Sequence, residues 1–88
     1  DCVSTYQAVF SPLMGEVWTV PIDPDRSGTI RIFSKNGELV YSVRFPENEP
    51  VTWNGTTLSG QSLPMGVYHF EIFYDNENRF RGNVTILR

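Results

Sequence analysis

The chain has 88 residues, of which 40% are hydrophobic and 14% aromatic, and its formal net charge is −3. A chain this short forms one small domain that buries only about 60 to 65% of the surface its unfolded form exposes, and its hydrophobic content excludes a disordered protein. Its six arginines and one lysine form no cluster, and no apolar run approaches the ~18 residues that cross a bilayer, so we expect neither nucleic-acid binding nor a membrane span.

Apolar residues recur with a period of two, and β-branched or aromatic side chains fill the recurring positions, which is typical of strands. No segment shows the period of a helix. Short strands with frequent turn signals predict an antiparallel β-sandwich. In chain order, the seven predicted strands are Tyr6 to Phe10, Glu16 to Ile22, Thr29 to Ser34, Glu38 to Arg44, Val51 to Trp53, Val67 to Tyr74 and Phe80 to Leu87.

The third and fourth strands form a predicted hairpin through Lys35-Asn36-Gly37, and its register has two solutions. A two-residue type I′ turn at Asn36-Gly37 pairs Ile32 with Tyr41. A three-residue loop with Gly37 in the left-handed conformation pairs Ile32 with Val40 instead. We favour the second solution, because it places Ile32 and Val40 together on the buried face and leaves Tyr41 half exposed.

The last two strands form a second predicted hairpin, which reverses through the polar residues 75–78. Side chains alternate between the two faces of a strand, so the sixth strand has one apolar aromatic face and one mixed face. The face predicted to point into the core carries Tyr68, Phe70, Ile72 and Tyr74. The opposite face carries Val67, His69, Glu71 and Phe73.

The segment Asp23-Pro24-Asp25-Arg26-Ser27-Gly28 begins like a calcium-binding loop, with oxygen-bearing side chains at Asp23, Asp25 and Ser27. Position twelve of such a loop would be Ser34, where calcium needs a bidentate glutamate. We therefore favour an Asx-type reversal between strands over a metal site. We expect no cofactor.

Catalytic chemistry has few candidates in this sequence. His69 is the single histidine, and general-base or zinc chemistry needs convergent partners that the sequence does not offer. No GxSxG motif is present, and Cys2 is the single cysteine, so no disulfide can form within these 88 residues, although a cysteine upstream could pair with Cys2. We expect a non-enzymatic domain without a small-molecule ligand.

Large aromatic residues admit two interpretations, a sugar-stacking platform or core packing. The residues concerned are Tyr6, Trp18, Tyr41, Trp53 and Phe73. Core packing is favoured, since a small sandwich needs most of its large side chains to fill its interior. We expect Trp53 to cover one end of the core and to donate its indole N–H to a loop carbonyl.

The terminal strand also admits two interpretations. If it lies at a sheet edge, its unpaired backbone offers a partner-recognition strand that another protein could extend by β-augmentation. If it is a plain closing strand, it only completes the sandwich. The residues of this candidate recognition strand are Val84, Thr85, Ile86, Leu87 and Arg88.

Five blocks of the sequence, in order, resemble the gliding-motility-associated C-terminal domain of Bacteroidetes surface proteins, the type B sorting domain of type IX secretion. They are Cys2 to Pro12, the hairpin IRIFSKNGELVY at Ile30 to Tyr41, WNGT at Trp53 to Thr56, LPMGVY at Leu63 to Tyr68 and GNVTILR at Gly82 to Arg88. The WxGxxxxG…LPxGxY pattern also resembles the Ig-like domain of the flagellar hook-capping protein. Its signature residues are Trp53, Asn54, Gly55, Gly60, Leu63, Pro64, Gly66 and Tyr68.

The resemblance implies an all-β, seven-stranded antiparallel Ig-like β-sandwich, residues 1–88, that serves as a C-terminal sorting and attachment domain. It implies protein partners in the type IX secretion machinery and display at the cell surface after passage through the periplasm and outer membrane. One block departs from the family, because Leu13-Met14-Gly15-Glu16 stands where the family has an acidic loop. A hook-cap-like scaffold is the alternative role, and a carbohydrate-binding module is a third. The chain begins at Asp1 without methionine, which suggests a fragment or a processed form.

Overall fold

The computed structural model describes residues 6–88. Its strands are β1 (Gln7–Phe10), β2 (Trp18–Thr19), β3 (Gly28–Phe33), β4 (Leu39–Phe45), β5 (Thr52–Trp53), β6 (Gly66–Tyr74) and β7 (Arg79–Ile86). A short 3₁₀ turn, Pro12–Met14, separates β1 from β2. The seven predicted strands are therefore present, although the second is much shorter than predicted. Pro21 lacks a backbone N–H and follows soon after β2, which accounts for the early end of that strand.

Two sheets enclose the core. A five-stranded sheet has the order β1-β7-β6-β3-β4, and a two-stranded sheet pairs β2 with β5. The predicted phase of β6 is confirmed, because Tyr68, Phe70, Ile72 and Tyr74 are all buried. The two-stranded sheet contributes Trp18 and Trp53 to the same core cluster.

The prediction of a purely antiparallel sandwich is wrong at β1. This strand pairs in parallel with β7, from Gln7 opposite Asn83 to Phe10 opposite Ile86. Parallel neighbours need a long connection, and here nearly the whole domain lies between the two strands. Alternating apolar residues identify a strand but carry no information about the direction of its neighbour.

The hairpin of β3 and β4 combines parts of both predicted solutions. Gly37 has a φ of 90° in a three-residue loop closed by the hydrogen bond from Ser34 N–H to Glu38 O, 2.8 Å, as favoured. Ile32 nevertheless pairs with Tyr41 and not with Val40, because a bulge shifts the register between Ile32 and Phe33. The favoured partner of Ile32 was therefore wrong, while the loop was right.

The bulge has a physical reason in the apolar pattern of β4. Without it, Ser42 and Arg44 would pair with the buried positions of β3, and Val43 and Phe45 would face solvent. With it, Val43 packs against the core and Phe45 is only 1% exposed. The shift of one residue thus brings the apolar positions of β4 to the inner side of the sheet.

Candidate recognition site at one end of the sandwich

Trp53 lies at the centre of one end of the sandwich. Its side chain is 2% exposed, and its indole N–H donates a hydrogen bond of 2.8 Å to the carbonyl of Thr56. The ring packs against the rings of Phe10, Trp18 and Tyr68 at centroid distances of 5.9, 6.4 and 5.9 Å. The expected bond from this indole to a loop carbonyl is confirmed.

Gly55 is the point where three segments of the chain meet. Its φ of 82° is one that side-chain-bearing residues rarely adopt, and its carbonyl accepts a hydrogen bond of 2.9 Å from Leu63 N–H. A Cβ atom at this position would lie 3.2 Å from Pro12 Cγ and 3.3 Å from Ile86 Cδ1. The turn after Trp53 therefore requires glycine for both its conformation and its packing.

The segment Leu63 to Tyr68 completes this end. The Tyr68 hydroxyl donates to Pro64 O at 2.8 Å, and the Arg88 Nε donates to Leu63 O at 2.9 Å. Burial raises the pKa of Tyr68, while the charge of Arg88 acts in the opposite direction. Gly66 begins β6 with a φ of 145°. We call the cluster of Pro12, Gly55, Leu63, Pro64 and Arg88 the motif end.

The other signature residues shape loops beside the motif end. The Asn54 carboxamide accepts a hydrogen bond of 2.7 Å from the Thr56 hydroxyl. Gly60 has a φ of 92° in a three-residue loop closed by Thr57 N–H donating to Gln61 O, 2.9 Å. These residues determine backbone conformation and offer no group with acid, base or nucleophilic function.

Exposed apolar side chains adjoin the motif end in sequence. Leu13 and Met14 follow Pro12 and are 73% and 78% exposed, Met65 follows Pro64 and is 56% exposed, and Leu87 precedes Arg88 and is 46% exposed. We call these four residues the apolar rim. Sequence reasoning missed them as a set, although the replacement of an acidic loop by Leu13-Met14 was a visible signal. All four side chains are available for contact with a protein partner, and methionine is among the residues enriched at interfaces.

The candidate recognition strand at the C-terminus is not an open edge. β1 pairs with β7 over Asn83 to Ile86, and the N–H of Leu87 donates to Phe10 O at 2.9 Å. Val84 and Ile86 are fully buried, and Thr85 is partly buried. Of the five proposed residues, only Leu87 and Arg88 are exposed. The interpretation as an unpaired strand available for augmentation is therefore wrong.

The segment from Asp23 to Ser27 forms the expected Asx-type reversal. Asp23 Oδ1 accepts a hydrogen bond of 2.9 Å from Asp25 N–H, and its Oδ2 lies 3.3 Å from the guanidinium of Arg26. Ser27 instead donates to the carboxylate of Asp75 at 2.6 Å. The three oxygen-bearing side chains of the weak calcium candidate therefore do not converge, and no group of three or more potential metal ligands exists among the described residues.

His69 lies on the exposed face of β6, where its Nδ1 is 2.7 Å from Asn83 Oδ1. The prediction for Cys2 lies outside the described residues. Trp18 and Trp53 are not available to the alternative sugar platform, because they are 5% and 2% exposed. Core packing of both tryptophans, the favoured interpretation, is confirmed.

The two sheets, the aromatic core and the motif end define an Ig-like β-sandwich module. The family model of the FlgD Ig-like domain matches residues 17–78, so the chain belongs to that family. No curated protein matches the chain. In the part of the chain that the structure describes, we find no helix with the length and apolar character needed to cross a membrane.

A solved structure has a similar fold. It is PorZ, an essential bacterial surface component of the type-IX secretion system of Porphyromonas gingivalis, with a TM-score of 0.61 and 18% sequence identity. The match covers 85% of this chain but only 12% of the PorZ chain. At this identity the likeness shows the Ig-like fold alone.

Proposed function

We propose that this domain is a non-catalytic C-terminal module that directs its parent protein through the type IX secretion system and attaches it to the cell surface. One observation carries the proposal. Four of the five blocks that resemble the sorting domain contribute residues to the motif end, through Pro12, Gly55, the Leu63–Tyr68 segment and Arg88. The blocks that resemble the sorting domain therefore meet at one surface of the folded domain.

The apolar rim supplies this surface with the chemistry for protein binding. Leu13, Met14, Met65 and Leu87 are all at least 46% exposed, and they lie one or two positions from motif-end residues in the chain. Methionine adapts to different partners because its unbranched thioether side chain is flexible. A folded end with an apolar rim suits recognition of shape by a secretion component that handles many different parent proteins.

An export assay tests this proposal. A reporter protein is fused to the domain and expressed in a bacterium that has a type IX secretion system. Deleting β6 and β7 would be uninformative, because it removes the core residues Tyr68, Phe70 and Ile86 and unfolds the domain. A rim variant, Met14→Ser with Met65→Ser and Leu87→Ser, changes only exposed side chains.

We expect the rim variant to fold normally, as measured by thermal unfolding, and its reporter to accumulate in the periplasm. The matched control is Leu58→Ser, which removes an exposed leucine, 68%, from the loop between β5 and β6, outside the apolar rim. This control should be exported as efficiently as the unmodified domain. Equal export of the rim variant and the control would contradict the proposal.

The family match favours a second function, an Ig-like assembly module of the hook-cap type. Such a module would hold its parent protein within a larger structure and would not direct export. The same fusion separates the two functions. An assembly module leaves a fused reporter inside the cell whether or not the apolar rim is intact, whereas a sorting module exports it only with the rim intact.

A further inference from the structure

The outer side of the five-stranded sheet, opposite the core, carries side chains that the fold does not use for packing. We call it the outer face. None of its side chains is buried. By strand register, the outer face consists of Gln7, Val9, Thr29, Arg31, Phe33, Leu39, Ser42, Arg44, Val67, His69, Glu71, Phe73, Arg79, Arg81, Asn83 and Thr85.

The charge of the outer face is opposite to that of the whole chain. Four of the seven Lys and Arg residues lie on it, Arg31, Arg44, Arg79 and Arg81, against one of the ten Asp and Glu residues, Glu71. The chain as a whole has a net charge of −3. Separated charge of this kind creates a local field that attracts a partner of opposite sign.

Two of these arginines are held on an aromatic ring. The guanidinium carbons of Arg31 and Arg79 lie 5.4 and 5.2 Å from the centroid of the Phe73 ring. Among the described residues, neither forms a salt bridge, whereas Arg44 is paired with Asp75 at 2.6 Å and Arg81 lies 3.7 Å from Glu71. Stacking orders a guanidinium while its N–H donors stay available for a carboxylate.

A groove extends the outer face toward the loop between β3 and β4. Its volume is about 420 Å³, and its lining includes Phe33, Lys35, His69 and Arg81. Basic and apolar side chains thus extend from the Phe73 ring to the β3–β4 loop, and among the described residues Glu71 is the one acidic residue that lines the groove. Aromatic residues and arginine are the side chains enriched at protein interfaces.

We propose that the outer face, centred on Arg31, Phe73 and Arg79, is a docking surface for an acidic segment of a protein partner. Carboxylates of this segment pair with the Arg31 and Arg79 guanidiniums in bidentate fashion. The inference rests on the proposed function, because it names a partner chemistry for a module that acts through protein contacts. It does not involve the apolar rim.

Other occupants fit the outer face less well. A sugar ring needs a free aromatic face, and guanidiniums already lie over the Phe73 ring. A second copy in a two-fold symmetric contact would place its own arginines against those of the first copy, which is unfavourable. An acidic protein segment offers both the charge and the apolar contact that this surface can use.

Peptide titration of the chain tests the inference. The probe is a synthetic peptide that alternates threonine with glutamate, and its counterpart carries glutamine in place of glutamate. Binding is followed by the backbone amide NMR signals of the domain. We expect the acidic peptide to shift signals of β3, β6 and β7, to bind more weakly as salt is added, and to bind more tightly than its neutral counterpart.

The double variant Arg31→Gln with Arg79→Gln should raise the Kd of the acidic peptide about tenfold or more, because two charge-assisted contacts are lost. Replacing both arginines by lysine keeps the charges but not the planar fork, and should give an intermediate Kd. The matched control is Arg26→Gln. Arg26 pairs with Asp23 away from the outer face, so its variant should bind the peptide normally.

The inference would be overturned if the acidic peptide did not bind, if the double glutamine variant bound it with unchanged affinity, or if heparin or anionic lipid vesicles bound the same face more tightly than the acidic peptide. Self-association that the double variant abolishes would assign the face to a second copy and would also overturn it. Peptide binding reports on this inference and reporter export on the proposed function. A domain that exports its reporter but binds no acidic peptide contradicts the inference alone.

Discussion

The β3–β4 and β6–β7 hairpins close with the same kind of loop. In the first, Ser34 N–H donates to Glu38 O at 2.8 Å, and Gly37 takes a φ of 90°. In the second, Tyr74 N–H donates to Asn78 O at 2.9 Å, and Glu77 takes a φ of 74°. One loop thus has glycine at its left-handed position, while the other has glutamate.

The strands behind these loops nevertheless differ in register. β6 and β7 pair without interruption from Gly66 opposite Ile86 to Phe73 opposite Arg79. β3 and β4 shift by one residue between Ile32 and Phe33. Because the two loops share their geometry, the loop does not determine the register. Core packing does, since β4 reaches an apolar inner face only after the shift.

The largest expected difference between the two hairpins is in core stabilisation. Replacing Phe70 of β6, which is fully buried, by alanine should cost about 3–5 kcal/mol of unfolding free energy, because the cavity lies between the two sheets. Tyr41 of β4 is partly buried at the sheet edge, so Tyr41→Ala should cost less, about 1–2 kcal/mol. Urea denaturation measures both.

Phe73→Ala is the matched control for Phe70→Ala, because it removes the same side chain from the opposite face of the same strand. We expect it to cost less than about 1 kcal/mol. If Phe73→Ala destabilised the domain as much as Phe70→Ala, the assignment of inner and outer faces would be wrong.

The left-handed loop positions offer a second comparison. Gly37→Ala should destabilise the domain by about 1 kcal/mol, although no atom lies within 4 Å of the added Cβ, because the backbone conformation is unfavourable for alanine. Glu77→Gly should stabilise it by about 0.5–1 kcal/mol for the converse reason. Thermal and urea unfolding of both variants check these opposite signs.

Glu77→Ala separates the backbone effect from any effect of the carboxylate. It keeps a Cβ atom at the left-handed position and removes the charge, so its stability should stay close to that of the unmodified domain. A gain in stability equal to that of Glu77→Gly would show that the side chain, and not the conformation, is responsible.

The smallest expected effect concerns the contact that links the two hairpins. Asp75, in the β6–β7 loop, accepts hydrogen bonds from Arg44 of β4 and from Ser27, both at 2.6 Å. The hydrogen bond from Arg44, and to a smaller extent the one from Ser27, lowers the pKa of Asp75 to about 2. The pKa of an aspartate in the unfolded chain is about 3.9. Because the pKa of Asp75 is lower in the folded state, its ionised carboxylate stabilises the fold above about pH 3.9, and this contribution is lost as the pH falls toward 2.

The melting temperature of Asp75→Asn should therefore decline less between about pH 4 and pH 2 than that of the unmodified domain. At neutral pH its melting temperature should be slightly lower. Arg44→Gln should reduce the same decline, because it removes the main hydrogen-bond donor. Both variants would be melted across this pH range. A decline as steep in both variants as in the unmodified domain would show that the Asp75 contacts do not form in solution.

The sequence allowed much of the fold to be predicted, for reasons visible in particular residues. Alternation in β6 identified its buried face, and Asn54-Gly55 identified the turn after Trp53. Strand direction and register were less accessible. The parallel pairing of β1 with β7 joins residues more than seventy positions apart, and the register shift between Ile32 and Phe33 depends on packing that no local pattern contains.

The candidate surfaces were predicted less well than the fold. Arg31, Phe73 and Arg79 lie on three different strands, so their stacking follows from strand order and not from any motif. The terminal strand was recognised as important, but its neighbour β1 could not be assigned from alternation. Resemblance to the sorting domain identified the motif-end residues without showing that they meet around Gly55.

The parallel pairing of the first and last strands has a mechanical consequence. β1 and β7 run in the same direction, so the chain enters the pair beside Asn83 and leaves it after Ile86, at the other end. A force that draws the two ends of the domain apart would slide these strands past each other and load their hydrogen bonds together. An antiparallel pair pulled from its open end would instead separate one bond at a time.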